Sequence, residues 1–282
     1  MDVRVAAVQP IAFRGTEEER NVDEALRYLD EAADAGAQFV CFPEGFPGPS
    51  AVPLRYSADE RLSAKARDRG LYIVAGSLEP AEEPDRFYVT VKLIGPDGVL
   101  GAYHRTTPTG PYIYREPPAP GLWGFDYVTG NDLPVFGTPL GTIGLLVCSE
   151  IYVPELARTL MLQGAEIIFA PAGAMINELM PTWRTMVWAR AIENLLYTVT
   201  CQNLFATEEG VAMIATPEGI LAQRDDAGMI AASLDLDRIR WLRAQDERIE
   251  LPKPYRCIPG TLRWRRPELY RSLAAEVLTA RQ

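Results

Sequence analysis

The stretch Gly36-Ala37-Gln38-Phe39-Val40-Cys41-Phe42-Pro43-Glu44-Gly45 has a counterpart later in the chain, Gly164-Ala165-Glu166-Ile167-Ile168-Phe169-Ala170-Pro171-Ala172-Gly173. Each copy follows a helical pattern, and glycine, alanine, proline and glycine fall at matching places. The pairing suggests two similar helix–strand units packed as pseudo-symmetric halves. Any helix–Gly–strand junction shares part of this pattern, because glycine commonly terminates helices. The fold class therefore rests on the wider rhythm of the chain.

That rhythm alternates strands with helices, which predicts a layered α/β fold. In the first half, residues 3–9 read as a buried strand and 21–35 as an amphipathic helix, with Val22, Ala25, Leu26, Leu29 and Ala33 on one face. Residues 38–42 read as a strand, 59–69 as a helix and 71–76 as a strand. Residues 87–94 and 99–103 form a hairpin around Pro96-Asp97-Gly98. Residues 106–132, rich in Pro, Gly and aromatics, read as a long ordered loop of the functional kind. The second half offers strands at 142–148, 166–170, 197–202, 211–215 and 229–234. Its helices are expected at 154–163, 183–193, 235–243 and 267–280.

Composition narrows the chemistry. The chain has 282 residues, 48% hydrophobic and 23% charged, as for an ordinary globular enzyme. Its net charge of −10 argues against nucleic acid or an anionic membrane as partner. No apolar stretch reaches transmembrane length, and Met1-Asp2-Val3-Arg4 runs straight into a strand pattern rather than a signal peptide. The four cysteines, 41, 148, 201 and 257, are widely spaced, which fits a reduced cytoplasmic compartment better than a disulfide framework. With one histidine, His104, and three lysines, Lys65, Lys92 and Lys253, a His/Cys zinc site is disfavoured. A serine triad could use only His104, and a Schiff-base enzyme only one of those lysines. Neither nucleotide-binding glycine fingerprint is present.

Three residues stand at predicted strand ends, where open α/β sheets place their chemistry. Cys148 ends the apolar run Thr142-Ile143-Gly144-Leu145-Leu146-Val147 and is followed by Ser149-Glu150. Free cysteine is often a small core residue, so taken alone the thiol reads as filler before nucleophile, and the polar Ser149-Glu150 that follow shift this only in part. Glu44, between Pro43 and Gly45, is a general base or a solvated turn residue. Arg105 follows another strand, and its ordinary fate is a surface cation.

Taken together, Phe42-Pro43-Glu44, Gly101-x-Tyr103-x-Arg105 and Cys148-x-Glu150-x-x-x-Pro154-Glu155-x-x-Arg158 resemble the nitrilase superfamily of carbon–nitrogen hydrolases. The likeness continues in order through Arg190-Ala191-Ile192-Glu193-Asn194, Pro217-x-Gly219, Asp235-Leu236 and Arg266-Pro267-Glu268-x-Tyr270. It implies a four-layer α-β-β-α sandwich, a single domain over residues 1–282 with a C-terminal extension from about 245, and a homodimer or larger assembly. It implies a glutamate, a lysine and a cysteine as catalytic set, with no cofactor and no metal. By motif position Glu44 is the base and Cys148 the nucleophile, and Arg105 stands where the lysine is expected.

The implied substrate is a small amide, carbamoyl compound or nitrile, with amide or carbamoyl favoured because amidase-type members are the more numerous. The cysteine would attack the carbon, and water would release the acid from a thioester-type intermediate. Arginine keeps the charge that stabilises a tetrahedral intermediate, but it cannot relay a proton. A bidentate Arg105–Glu44 pair would weaken Glu44 as a base. The Ser149 backbone N–H is the expected oxyanion donor, and Glu116 the expected second glutamate near the nucleophile. Glu155 and Arg158 are expected to pair. Tyr112, Trp123 and Trp183 are candidates for lining a substrate pocket, and equally for core. The departure at Arg105 also admits a second reading, an impaired or repurposed member serving in binding, assembly or acyl transfer.

Overall fold

The computed structural model describes residues 1–107, 126–173, 177–204, 209–244, 262 and 265–271. Two mixed sheets lie face to face, each covered on its outer side by helices. The first sheet contains β1 (Asp2–Gln9), β2 (Phe39–Cys41), β3 (Tyr72–Pro80), β4 (Arg86–Gly95), β5 (Gly98–His104), β6 (Asp126–Val128) and β13 (Gly228–Asp235). Its order is β13-β1-β2-β3-β4-β5, with β6 paired to β4. The second contains β7 (Val135–Thr138), β8 (Gly141–Leu145), β9 (Ile167–Phe169), β10 (Tyr197–Thr200), β11 (Ala212–Thr216) and β12 (Gly219–Arg224), in the order β12-β11-β10-β9-β8-β7.

The two orders describe one plan used twice. β1, β2 and β3 run parallel, joined by helices α1 (Arg20–Asp34) and α2 (Asp59–Arg69), and β4 and β5 return antiparallel. β8, β9 and β10 likewise run parallel, joined by α3 (Pro154–Leu162) and α4 (Met180–Asn194), with β11 and β12 returning antiparallel. In register, Ala6 stands opposite Val40 and Val40 opposite Ile73, as Gly144 stands opposite Ile168 and Ile168 opposite Thr198. Val40 and Ile168 are the matching members of the two quoted stretches, so the echo marks the central strand of each half.

Burial divides into three cores. Between the sheets lie Val5, Ala7, Phe39, Val91 and Tyr103 of one sheet and Leu145, Val147, Phe169, Val199 and Ile214 of the other. The rings of Phe39 and Phe169 meet at 5.7 Å between centroids. Val22, Ala25, Leu29 and Leu62 of α1 and α2 cover Val40 and Ile73 on the outer face of the first sheet. Leu160, Trp183 and Val187 of α3 and α4 cover Ile168 and Met213 on the second. The four layers are therefore helix, sheet, sheet, helix. β2 and β9 are buried at every residue, which is why both read as short unbroken apolar runs.

Several elements differ from expectation. β6 lies inside the stretch expected to be loop, and β7 and β12 were not expected; their mixed, half-exposed residues carry little period-two signal. β8 ends at Leu145, and a 3-10 turn, Cys148–Tyr152, takes over. Of the expected terminal helix, Pro267–Leu269 form a 3-10 turn, and the rest lies almost wholly outside the described residues. α5 (Leu236–Arg243) follows β13 as predicted. Arg158 donates to the Glu193 carbonyl at 2.8 Å instead of pairing with Glu155.

Candidate active site

Each half of the frame delivers a turn beyond its central strand, and the two turns touch. The Glu44 N–H donates to the carbonyl of Ala172, its positional counterpart, at 3.2 Å. Gly76 of β3 lets the Glu44 turn lie this deep: a Cβ there would stand 2.3 Å from the backbone nitrogen of Gly45 and 2.9 Å from the Pro43 carbonyl. The Asn203 side chain, just past β10, donates to the Glu44 carbonyl at 2.8 Å. These contacts hold the backbone of the Glu44 turn, and the residue is only 6% exposed.

Arg105 follows β5 and is 2% exposed. Its Nη1 donates to Oε1 of Glu44 at 3.0 Å, its Nη2 to the Ser149 hydroxyl at 2.5 Å, and its Nε to the Thr107 carbonyl at 3.1 Å. Nη1 thus serves Glu44 and Nη2 serves Ser149, where a bidentate pair with Glu44 was expected. A cation this deep is stable only with such partners, because an unpaired buried charge is costly.

Cys148 opens the 3-10 turn with φ +53, in the left-handed region that L side chains rarely adopt. Its N–H is held by the Pro171 carbonyl at 2.8 Å, beside the counterpart turn of Glu44. Such a kink at a strand end turns the side chain out of the sheet and costs on the order of 1 kcal/mol or more, a strain that functional sites commonly hold. The Glu44 carboxylate and the Gly173 N–H lie beside the thiol and act on it. Burial pushes its pKa up to about 12; the Glu44 charge adds to the rise, and Arg105 and the Gly173 N–H oppose it. Gly173 also donates to Oε2 of Glu44 at 2.9 Å. The arrangement is a thiol beside a buried carboxylate, with a guanidinium holding Oε1 of that carboxylate.

Of the expected residues, Glu44, Arg105, Cys148 and Ser149 come together at one place. Glu116, Tyr112 and Trp123 lie outside the described residues. Trp183 is wholly buried in the helix layer against Tyr152, which makes it core rather than pocket. Sequence reasoning missed Gly173 and Asn203. The echo itself could have pointed to Gly173, since it matches Gly45, and Asn203 sits at a third strand end of the same set. Among the described residues, no group of three or more His, Cys, Asp or Glu side chains could hold a metal ion. No helix there is long and apolar enough to cross a membrane.

The carbon-nitrogen hydrolase family model matches residues 4–244. The chain belongs to this family. A nitrilase of Pyrococcus abyssi is 31% identical over 265 residues, covering 86% of this chain and 94% of that one. An omega-amidase of Xenopus tropicalis is 28% identical over 246 residues, covering 80% and 86%. Solved structures share the fold: a carbon-nitrogen hydrolase from Helicobacter pylori has TM-score 0.78 at 19% identity, covering 98% of this chain and 99% of that one. An amidase from Nesterenkonia has TM-score 0.74 at 23% identity over 96% of this chain and 97% of that one. In that amidase structure the active-site cysteine carries the acetamide moiety of fluoroacetamide. The chain is thus a carbon–nitrogen hydrolase in fold and lineage, and an enzyme of non-peptide C–N bonds.

Proposed function

We propose that the protein hydrolyses a small carboxamide through a thioester on Cys148, with Glu44 as general base, Arg105 as fixed positive charge and the Ser149 backbone N–H as oxyanion donor. The observation that carries this reading is the buried Glu44 carboxylate beside the Cys148 thiol, gripped at the same place by Arg105. Glu44 takes the thiol proton as sulfur attacks the amide carbon. The negative charge of the tetrahedral intermediate falls on the former carbonyl oxygen, to be met by the Ser149 N–H and the Arg105 field. Glu44 then gives its proton to the departing nitrogen, and the C–N bond breaks to release ammonia and leave the thioester. In the second half Glu44 takes a proton from water, whose oxygen attacks the thioester. Collapse of that intermediate frees the acid, and the proton returns to sulfur.

Arg105 occupies, in this reading, the place of the family's lysine. It never gives up a proton at working pH, so its part is charge alone. Amide is preferred over carbamoyl compound and nitrile because relatives are an omega-amidase and a deaminated glutathione amidase of Synechocystis, and because a variant of the Nesterenkonia amidase is seen with butyramide. The reading includes one domain with residues from about 245 as an extension, and a cytoplasmic homodimer or larger assembly acting without a cofactor. The test is ammonia release from a panel of aliphatic amides, carbamoyl compounds and nitriles, with Cys148→Ala as control. An active wild type and an inactive Cys148→Ala are expected; turnover that survives Cys148→Ala overturns the reading.

A further inference from the structure

Glu150 carries a carboxylate that takes no part in the proposed chemistry and yet is wholly buried. A charge at that depth persists only if its lone pairs are filled, and here they are. Oε1 accepts from the Thr106 N–H at 2.8 Å, the Thr106 hydroxyl at 2.9 Å, the Thr107 N–H at 3.0 Å and the Tyr103 hydroxyl at 2.9 Å. Oε2 accepts from the same Tyr103 hydroxyl at 2.9 Å and from the Val147 N–H at 2.8 Å. Tyr103 and Thr106 flank Arg105 in the chain, and Val147 immediately precedes Cys148. The donors come from β5 and the segment after it on one side, and from the end of the second sheet on the other.

We propose that Glu150 is a positioning residue that fixes the distance between the Arg105 segment and the Cys148 turn, and so sets the rate of acyl transfer without touching the reacting atoms. The inference rests on the proposed roles of Cys148 and Arg105. Burial and the Glu150 charge hold the Tyr103 phenol far above its ordinary pKa, so it stays a donor to the carboxylate at all working pH values.

Glu150→Gln separates the two arms of this clamp. An amide has one accepting oxygen, and Oε1 has three donors of its own besides the shared tyrosine. The amide oxygen therefore takes the Oε1 place, and the NH2 faces the Val147 N–H, donor against donor. The link to the Arg105 segment survives and the link to the nucleophile's strand is cut. Misplacement by about 1 Å costs on the order of 100-fold in rate, so kcat should fall about 100-fold with KM within about threefold of wild type. The pH profile of kcat/KM should keep its shape on a lower plateau. Native kcat in folded Glu150→Gln overturns the proposal, and so does loss of a limb of the profile, which would make Glu150 a proton carrier. If Glu150→Gln does not fold, Tyr103→Phe decides: it removes one shared donor and leaves the charge. It should lower kcat by about threefold or more at unchanged KM, and native kcat there overturns the proposal. Cys148→Ala run alongside keeps the two readings apart, since its survival would sink the thioester reading whatever Glu150 does.

Discussion

Replacing Glu44 by glutamine should make Cys148 easier to ionise and the enzyme slower, two effects of opposite sense from one substitution. The thiol's pKa stands near 12, so at pH 7 only roughly one thiol in 10⁵ is ionised without help. Attack at neutral pH then depends on proton transfer to Glu44 in the transition state. Losing a positioned general base costs about 10²–10⁴ in rate, which is about 3–5 kcal/mol in barrier. The Glu44 charge is also the second cause of the raised thiol pKa, after burial. Glutamine removes that charge while Arg105 still acts on sulfur, so the thiol pKa should fall. Two assays read the two effects: ammonia release gives turnover, and iodoacetamide labelling of Cys148 against pH gives the ionisation midpoint. The midpoint should move to lower pH while kcat drops. The variant also breaks the buried Arg105–Glu44 ion pair, a change that costs up to about 3–5 kcal/mol, so both assays belong below its own unfolding temperature. Turnover within about threefold of wild type, or a labelling midpoint shifted upward, would refute the reasoning.

Further outcomes follow from other parts of the frame. Arg105→Lys keeps the charge but loses the reach to both Glu44 and Ser149; if arginine belongs to a tuned mechanism, kcat falls by about tenfold, whereas a gain of activity would mean the native site is disabled. Gly76→Ala should inactivate through the Glu44 turn, because the new Cβ meets backbone 2.3 Å away that cannot step aside; an active, native-melting variant would argue against that close approach. Glu79 is held at a pKa of about 2 by its hydrogen bond to His104 and by Lys92, below its ordinary 4.5. Its stabilisation, up to about 3 kcal/mol, is therefore full above pH 4.5 and lost as pH falls toward 2. Denaturant titrations of wild type and Glu79→Gln should converge at the acid end of that window. Trp183→Ala should cost about 3–5 kcal/mol by emptying the helix layer, read as a lowered denaturation midpoint with the site chemistry unchanged.

The central strands were legible as unbroken apolar runs, α1 by its apolar face, and the hairpin by its Pro96-Asp97-Gly98 turn. β7 and β12 were not, because edge strands with half-exposed residues keep no such period. Within the site, Glu44, Arg105 and Cys148 each had an ordinary structural reading when taken alone, as turn residue, surface cation and core filler; the ordered set of motifs that resembles the carbon–nitrogen hydrolases is what joined them. What could not be read is how these ends meet. Nothing local to Arg105 says that its fork divides between Glu44 and Ser149, and nothing in Cys148-Ser149-Glu150 says that Glu150 turns inward while Ser149 faces Arg105. Those facts depend on which strand neighbours which across two sheets, and the sequence separations involved run from 44 to 61 residues.

The internal echo explains why the site sits where it does. Positions related by a two-fold axis are separated by twice their distance from it, so equivalent residues can touch only beside the axis. Glu44 and Ala172 are equivalent and share a hydrogen bond, which places the site on the axis between the halves. There the plan must break, because two buried glutamates facing each other would leave one charge without a partner. One half supplies the carboxylate; the other has alanine at the matching position and contributes backbone instead, the Ala172 carbonyl and the Gly173 N–H. The same asymmetry recurs one strand over: by register Cys148 matches Pro10, a residue with no N–H to be held and no proton to give. A symmetric frame thus carries a one-sided site. Its chemistry comes from residues that differ between the halves, held where the two matching turns meet.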